Sequence, residues 1–88
     1  LAWPSGAPAA GIGQSCGGRL GIACSRGLFC DPPVGTCGGR DTEGTCVRIP
    51  RFCVQRVGRA VCGCDGKTYI NNCLRERAIV SKRHDGRC

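Results

Sequence analysis

The chain has no methionine, one tryptophan, one tyrosine, two phenylalanines and one histidine among its 88 residues. So short a chain exposes much of its surface even when folded, and few large apolar side chains are available to offset that. Only 17 residues are Leu, Ile, Val or Phe, whereas Gly and Pro together make 20. No run approaches the ~20 apolar residues of a membrane-spanning helix, so the chain is not expected to span a membrane. A dinucleotide-binding unit, a barrel or a helical bundle lacks the length or the apolar pattern. With aromatic platforms nearly absent and the basic residues dispersed, nucleic acid is not expected as a partner. His84 stands alone near the end of the sequence. No Ser-His-Asp order, paired carboxylates or phosphate-cradling loop accompanies it, so no enzymatic activity and no cofactor are expected.

What the chain has instead is cysteine. Ten cysteines exceed a tenth of the residues, and the number is even. That is the signature of a disulfide scaffold, which persists in an oxidising compartment; the protein is expected to be secreted or periplasmic. Cys62-Gly63-Cys64 is a close pair, but repeated Cys-x-x-Cys knuckles are missing and no metal site is expected. The sequence begins at Leu1 rather than Met, which fits a processed product or a fragment.

Charge divides the chain. Up to residue 47, Arg19, Arg26 and Arg40 balance Asp31, Asp41 and Glu43. From residue 48 onward, ten Lys or Arg face Asp65, Glu76 and Asp85, so the whole net charge of +7 lies there. Such a field attracts acidic protein faces, anionic surfaces or polyanionic glycans, or simply keeps the molecule soluble.

Three segments follow. Residues 1–15 are rich in Gly, Pro and Ala and read as a flexible tail, with Trp3 the obvious anchor if the tail docks. Residues 16–45 form a cysteine-rich hairpin segment, with turns at Asp31-Pro32-Pro33 and Gly38-Gly39 and short apolar pieces at Gly21-Ile22-Ala23 and Leu28-Phe29. In residues 46–88, Val54 to Val61 lie between Cys53 and Cys62 and read as an exposed, tethered loop. Asp65-Gly66 is a turn feeding a short strand. Asn71 or Asn72 caps a short helix running through Leu74 to Ala78, with Leu74 and Ala78 on one face. Ile79 to Lys82 is β-like, and Asp85-Gly86 turns the chain toward Cys88.

Val61 to Cys73, VCGCDGKTYINNC, resembles the hallmark of the Kazal domain, Val-Cys-Gly-x-Asp-Gly-x-Thr-Tyr-x-Asn-x-Cys, at every fixed position. Cys16-Gly17, Cys24-x-x-Gly27-Leu28-x-Cys30 and Gly35-x-Cys37 resemble the second half of an insulin-like growth factor binding protein domain; an unrelated cysteine-rich hairpin is the competing reading. The two in tandem resemble the amino-terminal region of some secreted serine proteases of the HtrA type, where the Kazal-like module is not known as an inhibitor. The fold implied is a small disulfide-rich protein: a Kazal-like α+β module with one short helix and a small antiparallel sheet, after a β-hairpin segment.

The Kazal resemblance implies substrate-like binding of a serine protease through Val54, Gln55, Arg56 and Val57. The loop is fixed beforehand and so loses little entropy on binding. The specificity position, two after the second family cysteine, falls on Gln55, or on Arg56 if the loop's extra residue shifts the register. The family's Pro before Val61 is Ala60 here. Asn71, with Tyr69, is expected to support the loop, Asn71 by bridging to its carbonyls. The family's fifth cysteine is absent, and Cys64 takes the place of a small polar residue. The resemblance implies Cys53–Cys73 and Cys62–Cys88, with Cys46–Cys64 restoring the missing link and Cys16–Cys30 and Cys24–Cys37 closing the first segment. The competing reading is a non-inhibitory disulfide-rich binding module, or an accessory subunit of a larger extracellular or periplasmic complex.

Overall fold

The computed structural model describes residues 9–38, 42–55 and 58–88. Two small antiparallel sheets are joined through one disulfide, Cys37–Cys64, and the ion pair of the buried Arg75 with Asp31. The first sheet holds β1 (Ser15–Gly17), β2 (Leu28–Asp31) and β3 (Glu43–Arg48) in the order β1-β3-β2. The second holds β4 (Val61–Gly63), β5 (Thr68–Tyr69) and β6 (Lys82–Asp85) in the order β5-β4-β6, with α1 (Asn72–Arg77) between β5 and β6. The protein is a small disulfide-rich fold of this α+β kind, with five disulfides and two sheets.

Cross-links occupy the positions that apolar side chains hold in larger cores. In the first unit Ala10, Cys16 and Cys46 are buried, with Ile22, Cys24, Leu28 and Cys30 against them. Cys16–Cys30 and Cys24–Cys46 are both bonded. The sulfurs of Cys16, Cys24 and Cys46 lie within 4.8 Å of one another. That proximity reflects two adjacent disulfides, whose sulfurs are no longer thiolates able to ligate a metal. In the second unit Val61, Cys62 and Gly63 of the central strand are all buried, and Cys62–Cys88 and Cys53–Cys73 frame it.

Two pairings differ from the sequence expectation. Cys24 bonds Cys46 rather than Cys37, and Cys37 bonds Cys64 in place of the expected Cys46–Cys64. The reason lies in the strands. Cys46 pairs with Cys30 in the β2–β3 ladder, and Gly13 donates to its carbonyl at 2.9 Å, so its side chain is held within the first core. The turn after Pro33 instead reaches the second sheet, where Gly35 N donates to Lys82 O at 2.9 Å and brings Cys37 to Cys64. This bond spans 27 residues. A loop of that length contributes roughly 3.5 kcal/mol in a chain-entropy account.

The division expected at 45/46 runs through β3, every residue of which lies in the first sheet. The tail expected over residues 1–15 also enters that unit from Ala10 onward. Ala10 donates to Ala23 O and accepts from Ser25 N, both at 2.8 Å, and Ser15 begins β1. Trp3 lies outside the described residues.

The helix starts at Asn72 with Asn71 as its cap and ends at Arg77, one residue short of the expected end. The expected apolar face does not form: Ala78 is exposed, and the helix residue that is buried is Arg75. Nor does a strand begin at Ile79. Val80 N donates to Arg75 O and Ile79 N to Glu76 O, closing the helix with a Schellman motif. Ile79 therefore adopts φ 58°, a left-handed conformation that suits glycine far better than a β-branched side chain. The strand follows only at Lys82.

Candidate functional site

The segment after β3 leads into the tethered loop. Ile49 N donates to Gly27 O at 2.9 Å, which fixes the chain as it leaves the first sheet. Phe52, Val54 and Gln55 are exposed, and Cys53 is held to the first turn of α1 through Cys73. Arg56 and Val57 lie outside the described residues. The chain then passes Gly58, Arg59 and Ala60 into β4.

Asn71 organises this loop from beneath. It is 4% exposed. Its Nδ2 donates to the Val54 carbonyl at 2.8 Å, and its Oδ1 accepts from Leu74 N at 2.9 Å. One amide therefore caps the helix and holds the loop. Asn72 is the first helical residue, and its Oδ1 accepts from Arg75 Nε at 2.8 Å. On the return side, Gly58 has φ +100°, and a Cβ there would lie 3.0 Å from Asn71 Cβ. The loop can close over Asn71 because this position has no side chain.

Tyr69 does not meet the loop through its hydroxyl. The phenol donates to Asp65 Oδ2 at 2.6 Å, and Asp65 Oδ1 accepts from Lys67 N at 3.1 Å. Tyr69 thus stiffens the β4–β5 hairpin, whose turn is built by Gly66 N donating to Gly63 O with Gly66 at φ +81°. The shared hydrogen bond holds the Asp65 carboxyl below the usual carboxylate range and, with desolvation, pushes the Tyr69 phenol up to about 12. Gly63 is constrained by its neighbours' side chains. A Cβ there would meet Asp65 Oδ1 at 2.5 Å and Tyr69 Cε1 at 2.8 Å.

Arg75 has no counterpart in the sequence expectations. It is 2% exposed, the largest fully buried side chain among the described residues. Nη1 and Nη2 donate to Asp31 Oδ1 and Oδ2 at 3.0 and 3.1 Å, and Nη1 also donates to Val80 O at 2.7 Å. This bidentate pair joins the helix of the second unit to β2 of the first. Its only sequence signals are a central position in a short helix and an acidic residue before Pro32-Pro33. Neither predicts a contact 44 residues apart.

A loop fixed by a disulfide, a capping amide and a short helix defines a compact module that presents one exposed segment. Residues 50–88 match the Kazal-type serine protease inhibitor domain, and this part of the chain is a Kazal-type domain. Across more of the chain, an insulin-like growth factor-binding protein-like 1 of Bos taurus is 43% identical over 72 residues, 81% of this chain and 23% of that protein. The protein of the same name in Mus musculus is 43% identical over 76 residues, 84% of this chain and 25% of that protein. Serine protease HTR4 of Rattus norvegicus is 39% identical over 76 residues, 84% of this chain and 14% of that protein. These stretches are longer than the Kazal-type segment, so the likeness runs into the first sheet. The chain spans a quarter or less of each of these relatives. No solved structure matches.

Proposed function

We propose that the chain binds a serine protease in the manner of a substrate, through Val54, Gln55, Arg56 and Val57, with Gln55 or Arg56 entering the specificity pocket. The observation that carries this reading is the hydrogen bond from Asn71 Nδ2 to the Val54 carbonyl, made beside the Cys53–Cys73 disulfide. A segment held in this way keeps its bound shape when free, so ordering costs little on association. The same restraint keeps the two ends together after cleavage, which favours religation over release. The chain itself is read as non-enzymatic. Five disulfides fit an extracellular or periplasmic setting.

The test is a panel of trypsin-, subtilisin- and elastase-like proteases assayed with the oxidised chain. Inhibition at micromolar concentration or below, with slow cleavage at 55/56 or 56/57, is expected. Gln55→Lys raises affinity for the trypsin-like member if Gln55 faces the pocket, whereas Arg56→Gln lowers it if Arg56 does. No inhibition of any member, or rapid cleavage within the loop, overturns the proposal.

A second reading is favoured by the similarity to Serine protease HTR4, whose own name makes it a protease and of which the matched stretch is a small part. On this reading the chain is a non-inhibitory binding or accessory module of a larger protein complex. A stable, monomeric chain that recruits no partner from its native fluid counts against it.

A further inference from the structure

An open groove of about 530 Å³ lies where the first sheet hands over to the loop. Its floor is apolar, formed by Ile12, Leu28 and Ile49, and its rim carries Arg26, Arg48 and Arg51. The three arginines come from different places: a turn before β2, the end of β3, and the segment leading to Cys53. Leu28 and Arg48 face each other in the β2–β3 ladder, so sheet register fixes one cation beside the floor. Among the described residues no acidic side chain lines the groove, and all three arginines are exposed. Among the described residues the ion pairs are Arg75–Asp31 and Lys82–Asp85, neither of which involves this rim. Ile12 is 59% exposed. The first 47 residues carry no net charge, yet the fold gathers Arg26 with Arg48 and Arg51 around one apolar strip.

We propose that this groove docks an extended acidic peptide segment of a partner protein, its carboxylates on Arg26, Arg48 and Arg51 and an apolar side chain on Ile12, Leu28 and Ile49. Guanidinium forks match carboxylates in pairs, and exposed apolar surface rimmed by polar groups marks a protein contact. Charge complementarity selects an acidic occupant. The apolar floor selects a peptide over a sulfated glycan, which has no side chain to bury there. Among the described residues no aromatic side chain lines the groove to stack a nucleotide base. The site is distinct from the protease-facing loop, although Arg51 precedes Phe52 and Cys53 and a partner in the groove would lie beside it.

The experiment measures fluorescence anisotropy of labelled acetyl-Glu-Asp-Phe-Glu-Asp-amide with the full oxidised chain. The same peptide with Phe replaced by Gly, and a heparin-derived hexasaccharide, form parallel arms. Binding in the micromolar range is expected, weakening with salt but not abolished by it. The variant R26Q/R48Q/R51Q should weaken binding ~10-fold or more, as expected for losing three modest ion pairs together. R77Q/R83Q/R87Q, which removes the same charge from exposed positions elsewhere, should leave it within ~2-fold. Ile12→Ser and the Gly peptide should each weaken it several-fold at unchanged net charge. Because Ile12 is largely exposed, I12S keeps the test decisive if the triple variant fails to fold. Equal losses in the two triple variants would reduce the effect to the general basic field and overturn the site. Indifference to I12S and to the Gly peptide, or stronger binding of the hexasaccharide through the same arginines, would overturn the peptide as occupant.

Discussion

Replacing Asn71 separates two contributions that one side chain makes. Asn71→Ala removes the acceptor for Leu74 N and the donor to Val54 O, both within a site only 4% exposed. Loss of a helix cap costs about 1 kcal/mol, and a partly buried hydrogen bond to a backbone carbonyl about 1 to 1.5. The expected destabilisation is therefore roughly 2 to 2.5 kcal/mol, a large share of the stability of a domain this size. Asn71→Ser keeps a capping oxygen but is too short to reach Val54, so it should cost roughly half as much. Urea unfolding with the disulfides intact measures both, at unchanged slope. The loop is read separately, by amide exchange at residues 53–58 and by cleavage of the segment with a bound protease. Ala and Ser should loosen it to the same extent, although they differ in stability. Equal stabilities for the two variants would refute the capping role. Unchanged exchange and cleavage in both would refute the idea that Asn71 orders the loop.

Three further outcomes follow from the packing and charge of the second unit and its ion pair with the first. Asp31→Asn keeps the shape but leaves the buried Arg75 guanidinium without its carboxylate, and should cost about 2 kcal/mol; a loss under ~0.5 in urea would show that water replaces the pair. The Tyr69–Asp65 bond gives stability two edges. The depressed Asp65 contributes above its ordinary value of 3.8 and loses that contribution as pH falls through its folded pKa. The raised Tyr69 contributes fully below 10 and loses it as pH climbs toward about 12. Tyr69 is the one tyrosine of the chain, so phenolate absorbance reports it directly, and Tyr69→Phe should flatten both edges; an ordinary midpoint near 10 would contradict the hydrogen bond. Ile79→Gly relieves a left-handed β-branched residue that is 57% exposed, and should raise stability by about 0.5 to 1 kcal/mol in the same urea assay; a loss would mean that Ile79 packs more than its exposure suggests.

The parts of the fold that sequence reveals are those written in local chemistry. The turn at Asp65-Gly66, the cap at Asn71 and the short helix after it each depend on residues within a few positions of one another. What escaped is long-range. Cys37 and Cys64 are as plausible with other partners until the turn after Pro33 is seen to reach Lys82. The boundary at 45/46 takes Cys46 as the opening of the Kazal-like segment, but β3 is positioned by its ladders to β1 and β2, which cysteine spacing does not encode. Arg75 was counted among the cations of a basic surface, since an arginine in a short helix is ordinarily solvated. The carboxylate that compensates its buried charge is Asp31, a residue of the other unit.

That dependence changes what the first unit does for the loop. The loop enters from β3 by way of Ile49, tied to Gly27, and leaves into β4. Its two ends are therefore anchored in different sheets. A rigid loop then requires the sheets to be fixed relative to each other, which a linker of a few residues between Arg48 and Cys53 could not ensure. Among the described residues three connections do so: Cys37–Cys64, Gly35 N to Lys82 O, and the bidentate Arg75–Asp31 pair. The pair is the one made by a residue of α1 itself, whose amino-terminal cap is Asn71. Removing Asp31 would thus loosen the mounting of the helix that holds the Val54 carbonyl, although Asp31 has no hydrogen bond or ion pair to a described loop residue. The glycine-rich first segment acts as the second wall of the loop's mounting rather than as a spacer ahead of it.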